Sequence, residues 1–182
     1  RALELAESCF WSFCDDYLEL VKDRAYSDDP SARSARVALN VAVDVFLRLL
    51  APFIPYATEE VWSWFRTGSV HRAAWPSSEP LRAAAAGADA EILRVAGEAL
   101  TALRKVKSEN KVSQRTTYAA VSLEVAEADR ARLDAVHADL VRAAHVRGDL
   151  SARSVEGDAP VAVVSYQLDP PEPKKPASAQ KA

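Results

Sequence analysis

The chain has 182 residues, 49% of them apolar and 27% charged, with 23 Lys and Arg against 26 Asp and Glu and a formal charge of −3. That balance excludes nucleic-acid binding by bulk charge, so any RNA contact must come from a local patch. No run nears the roughly 18 consecutive apolar residues of a membrane span, and no charged-then-apolar leader opens the chain.

The sequence opens at Arg1 and contains no methionine, so it is expected to be a piece of a longer protein. Its length suits one domain or two small ones. Cys9 and Cys14, five apart, are expected to be reduced, buried thiols of a cytoplasmic protein.

In chain order, Phe10, Phe13, Cys14, Tyr17, Leu20 and Val21 recur at helical spacing and predict a helix over residues 1–25, with Trp11 and Leu18 widening its apolar band. Pro30 breaks the chain, and a second helix runs to Leu50 with a polar stripe of Arg33, Arg36, Asn40, Asp44 and Arg48. Pro52 stops it. Pro55 opens a third helix whose Glu59 and Glu60 suit the positive end of its dipole. Residues 68–80 are irregular, and the alanine-rich tract 82–87 is a helix end or a linker.

A fourth helix is predicted over 89–108 on Ile92, Val95, Ala99, Leu103 and Val106. Residues 117–125 then alternate, with Ala119, Val121, Leu123 and Val125 facing one way and Tyr118, Ala120, Ser122 and Glu124 the other, the period of a half-buried strand. A further helix is predicted over 128–146, a strand over 161–168, and a short one near 152–155. Residues 169–182, with four prolines and three lysines, read as a disordered tail. The expected fold is mainly α: a helical bundle over 1–80, a basic helix with a small α+β part of two or three strands over 81–168, and the tail.

Catalytic signals are sparse. The glycines at 68, 87, 97, 148 and 157 make no phosphate-cradling loop, and His71, His137 and His145 sit singly. The neighbouring carboxylates Asp15-Asp16 and Glu59-Glu60 point about 100° apart on a helix, unlike a dyad sharing a proton. No catalytic residue and no metal or cofactor site is expected in this segment.

Charge is uneven. Residues 104–115 hold Arg104, Lys105, Lys107, Lys111 and Arg115 against Glu109, net +4, where a helix gives way to a strand. Two readings stand: solvated cations complementing a helix carboxyl end, or an edge that binds phosphate. Lys22 and Arg24 beside Tyr26 repeat the pattern more weakly, and Arg36 and Asn40 face either bases or water.

Several strings then become recognisable together. Residues 13–22 (FCDDYLELVK), residues 51–62 (APFIPYATEEVW) and residues 68–76 (GSVHRAAWP) resemble the anticodon-binding region of class Ia aminoacyl-tRNA synthetases. The segment 104–113 followed by a strand is most similar to the valyl-tRNA synthetase branch, ahead of the isoleucine and leucine branches. The resemblance implies a helical bundle that grips the anticodon stem and loop of a tRNA, a valine-accepting one, within a ligase that charges it using ATP and magnesium in other domains. The remaining domains of that enzyme are implied partners. The two adenylation motifs of that class are absent, and Lys111-Val112-Ser113-Gln114-Arg115 only superficially echoes one of them. The resemblance also leads us to expect a terminal coiled coil, which the Pro/Lys end does not provide, and an apolar residue at Gln114.

On this resemblance the expected RNA-binding residues are Lys22, Arg24, Arg36, Asn40, Arg104, Lys107, Lys111 and Arg115. Trp62 and Phe53 are expected to be architectural. Trp11 and Tyr26 suit base stacking only if exposed, and burial is the expectation for both. A stand-alone paralogue or helical interaction module without RNA binding is the alternative.

Overall fold

The computed structural model describes residues 1–170. The chain divides into two compact units, Arg1–Gly97 and Glu98 onward. The division falls within a helix, downstream of the composition change at 80/81.

The first unit is helical. Helix α1 (Ala2–Ser12) continues through a π-helical segment, Phe13–Leu18, into α2 (Glu19–Tyr26). Phe10 and Phe13 close edge-on or tilted onto Phe46 of α3 (Ala32–Leu50), with ring centroids 5.4 and 5.3 Å apart, and Tyr17 stacks on Phe13 at 5.6 Å. Ala32 and Ala35 are buried on α3, as are Leu20 and Val21 on α2. The small residues let the two backbones approach. Pro30 starts the return as predicted: Ala32 N–H donates to Asp29 C=O at 2.9 Å, and the Asp29 carboxylate accepts from Ser31 N–H at 2.7 Å.

Helix α4 (Pro55–Ser63) has Pro at its first turn, where no backbone donor is lost. It buries Trp62 with Ala51 and Val70, against the partly buried Leu47 and Ala73. Glu59 fixes the next turn by accepting from Ser69 Oγ and Val70 N–H, both at 2.9 Å. Two exposures differ from expectation: Phe53 is about half exposed, and Cys9 lies at the surface. After a short α5 (Glu79–Ala84), α6 (Glu91–Glu109) begins in this unit. Its Gly97 admits the Asp16 carboxylate, since a Cβ there would stand 3.2 Å from Asp16 Cγ.

The second unit is α/β. Ala99, Leu100, Leu103 and Val106 of α6 are buried. Strand β1 (Tyr118–Ala126) is central, flanked by β2 (Val146–Val155) in parallel and β3 (Ala162–Leu168) antiparallel. Helix α7 (Arg130–Ala143) makes the crossover between the parallel strands and buries Leu133 and Leu140. The predicted face of Val121, Leu123 and Val125 is buried. Tyr118, expected on the other face, is buried too, because both strand pairings slip between Tyr118 and Ala120. Its hydroxyl donates to Leu103 C=O at 2.7 Å.

Helix α7 stops at Ala143, and His145 takes a left-handed φ of 54°, so the chain becomes β2 at Val146, inside the predicted helix. Strand β2 is ten residues long, well beyond the short segment expected near 152–155. The expected tail lies outside the described residues from 171 on. Its first residue is held, with Asp169 N–H donating to Thr117 C=O at 2.9 Å and its carboxylate pairing with Arg147 at 3.0 Å.

Candidate nucleic-acid interface

The candidate residues fall into two groups, one in each unit. In the first unit, the carboxyl end of α2 and the amino-terminal half of α3 enclose an open groove of about 570 Å³ lined by Leu18, Glu19, Lys22, Ala25, Tyr26, Arg36 and Leu39. Tyr26 stands at its rim 89% exposed, and Trp11 of α1 is also mostly exposed, so both differ from the burial expected of them. A single exposed side satisfies the helical spacing of an aromatic as well as a buried one does. Position on the helix end decided it for Tyr26.

The charged residues here have structural duties as well. Lys22 Nζ pairs with Glu19 at 2.9 Å. Arg24 donates to Ser34 Oγ at 3.2 Å. Arg36 donates from Nε to Ala25 C=O at 2.7 Å and from a terminal nitrogen to Ser27 C=O at 2.8 Å. Its guanidinium therefore closes the end of α2 and fixes the 26–31 turn while remaining at the surface. Asn40 is exposed one turn further along α3. Lower on the same stripe, Asp44 and Arg48 pair with each other, and Arg48 also donates to Ala74 C=O at 3.2 Å. That end of the stripe is a tether.

In the second unit, α6 ends in a left-handed cap. Lys111 N–H donates to Ser108 C=O and Val112 N–H to Lys107 C=O, both at 3.0 Å, with Lys111 at φ 54°. This is the Schellman pairing, with lysine where glycine is the usual occupant. Lys111 and Arg115 are exposed on the loop 110–117, and Arg104 is half-buried on α6. Lys105, exposed, sits 3.9 Å from Glu109.

Lys107 is the correction. It is only 2% exposed, and its ammonium turns inward, donating to Gln114 C=O at 2.9 Å and Ala144 C=O at 2.8 Å and lying 4.8 Å from the Tyr118 ring centroid. Burial, with the nearby Arg104 charge, pushes its pKa down to about 8. A buried ammonium held this way cannot reach a phosphate. The sequence grouped it with its neighbours because nothing in a lysine's spacing marks the one that folds in: Lys105, Lys111 and Arg115 are exposed and Arg104 half-buried.

Gln114 explains its own departure from an apolar residue. Its side-chain amide donates to Arg104 C=O at 3.3 Å and Ser108 Oγ at 3.0 Å, satisfying acceptors at the end of α6 while its carbonyl serves Lys107. Among the described residues no three His, Cys, Asp or Glu come together to hold a metal ion, and no helix is long and apolar enough to cross a membrane.

The first unit thus carries exposed cations and aromatics on α1–α3, and the second a basic helix cap at the end of α6. A family model described as the anticodon-binding domain of tRNA ligase matches residues 1–125. The chain belongs to that family.

This anticodon-binding domain is 48% identical over 199 residues to the valine–tRNA ligase of Bifidobacterium longum subsp. infantis, covering 97% of this chain and 22% of that protein. It is 53% identical over 136 residues to that of Thermobifida fusca (73% and 15%) and 44% identical over 178 residues to that of Salinispora arenicola (88% and 20%). The chain thus spans about a fifth of the length of the curated relatives it matches. The resemblance read from residues 13–22, 51–62 and 68–76 is borne out, and so is the mainly helical fold with a small mixed sheet.

Proposed function

We propose that this chain binds the anticodon stem and loop of a tRNA as one part of a valine–tRNA ligase. The observation that carries the reading is the similarity, across 97% of the chain, to a valine–tRNA ligase, joined to the family match over residues 1–125. The rest of such an enzyme, acting in the cytoplasm, would attach valine to the tRNA using ATP and magnesium. No residue described here is assigned to that step.

The geometry supports a division of labour. Lys111 and Arg115, with Arg104 behind them, present charge to backbone phosphates, which fix register without reading sequence. The groove beside Tyr26, lined in part by Lys22 and Arg36, with Arg24 and Asn40 on the same two helices, offers what an unstacked loop nucleotide needs: a ring face, hydrogen-bonding side chains and nearby positive charge.

The test is a salt titration of binding to a valine-accepting tRNA transcript. K111E/R115E and K22E/R24E should each weaken binding by roughly tenfold or more near physiological salt while far-UV helicity stays unchanged. Unchanged affinity in both variants would overturn the reading.

A further inference from the structure

We propose that Lys107 is a positioning residue for RNA binding: its buried side chain anchors the loop that presents Lys111 and Arg115. The inference rests on the reading of that loop as a phosphate contact.

Lys107 holds the loop 110–117 twice. Its carbonyl accepts from Val112 N–H at 3.0 Å, and its ammonium donates to Gln114 C=O at 2.9 Å. Both points, Val112 and Gln114, lie within the segment between Lys111 and Arg115, each next to one of the two cations. The second ammonium bond, to Ala144 C=O at 2.8 Å, ties the loop to the carboxyl end of α7, where the helix dipole is negative and orphan carbonyls need donors. The Tyr118 ring, 4.8 Å away, takes the remaining face of the ammonium, and that ring is itself fixed through its hydroxyl to Leu103 C=O. The loop is thereby referenced to α6, α7 and β1 at once.

A methionine of similar length would fill the same space without a desolvation cost. The fold carries that cost nonetheless, visible in the lowered pKa, which still leaves the group mostly charged at neutral pH. No carboxylate is bonded to it: its partners are two carbonyls and a ring, so the charge is used to hold backbone rather than to form an ion pair. The groups facing it are Arg104 from α6 and Tyr118 from β1. What the arrangement secures is the position of a short loop, one end of which sits in an unfavourable left-handed conformation at Lys111.

The experiment is a double-mutant cycle read by the slope of log affinity against log salt, using the full chain and a valine-accepting tRNA transcript. K111A/R115A should lower the slope by about one to two units, since each phosphate contact contributes nearly one. K107M should weaken binding roughly three- to tenfold and lower the slope when the loop is intact, and do nothing further in the K111A/R115A background. An equal loss in both backgrounds would mean a general structural role or a direct contact, and would overturn the proposal. So would an unchanged slope in K107M where the loop variant lowers it. If K111A/R115A itself leaves the slope unchanged, the loop is not an RNA contact, and that reading fails with the inference built on it. Should K107M not fold, Lys107→Arg carries the same cycle, because the larger guanidinium displaces the Gln114 carbonyl without emptying the site.

Discussion

Gly148→Ala is the sharpest test of the second unit. Between the pairs Tyr118↔Val146 and Ala120↔Asp149, one residue of β1 faces two of β2, so Arg147 and Gly148 share a bulge opposite Ala119. A Cβ on Gly148 would overlap the Ala119 carbonyl oxygen outright and stand 3.0 Å from its carbonyl carbon. Ordinary carbon contacts need about 3.5–4.0 Å. With the added Cβ only 1.8 Å from that oxygen, the strands must part by about 1.5 Å, at a point where β1 is central and cannot move without disturbing β3. Two or three backbone hydrogen bonds would be lost or stretched, including Tyr118 N–H to His145 C=O, now 2.9 Å. At about 1 kcal/mol net for each, and more where a buried group is left unmade, the cost is about 2–4 kcal/mol. Urea unfolding followed by far-UV circular dichroism measures it, with hydrogen exchange at the β1 amides as the local probe. All four tryptophans, 11, 62, 64 and 75, belong to the first unit, so their emission reports that unit separately. A loss below about 0.5 kcal/mol with β1 protection unchanged would refute the bulge as the reason for glycine.

Other outcomes follow from the same structure. Lys111→Gly should raise stability by up to about 1 kcal/mol, by relieving a non-glycine left-handed residue, while weakening tRNA binding; thermal melts and a binding titration check the opposite signs. Glu59→Ala should cost about 1–3 kcal/mol, since Val70 N–H and Ser69 Oγ lose their acceptor, and tryptophan-detected unfolding reads it. Lys107 has a folded pKa near 8, below the ordinary 10.5, so the unfolded chain binds more protons between those values and stability rises with pH across that window. Tyr118, raised from 10 to about 12 chiefly by burial, acts oppositely: stability falls from about pH 10 to 12. Denaturant midpoints against pH should lose the rise in K107M and lose the fall in Tyr118→Phe.

Much of the fold was legible where a periodic signal met a stop. Pro30 and Pro55 separated helices because proline fixes φ and supplies no donor, and the alternation of Val121, Leu123 and Val125 marked β1 because one of its faces is buried. Strand β2 was not legible. Its sequence, VRGDLSARSV, carries few apolar residues because as an edge strand it buries only Val146 and Leu150. Its start hides behind a left-handed His145 that no spacing rule marks. The candidate interface divided in the same way. The loop cations are exposed as a charged run suggests, whereas Arg36 and Lys107 are engaged with carbonyls contributed by residues distant in sequence, which no local pattern encodes. Tyr26 and Trp11 show the converse, aromatics expected to be buried whose positions on the helix left them at the surface.

The π-helical segment Phe13–Leu18 has a meaning for inheritance as well as for packing. A π turn closes i→i+5 hydrogen bonds, so it stores one residue more than an α turn within a continuous helix. In α1, by contrast, loss of one residue would rotate everything beyond it by about 100° and take Leu20 and Val21 off α3. Within this segment the extra residue can be given up by reverting to α pairing, with both flanking faces still turned the same way. The helix thus has one place where its length can change by a single residue without changing what it packs against.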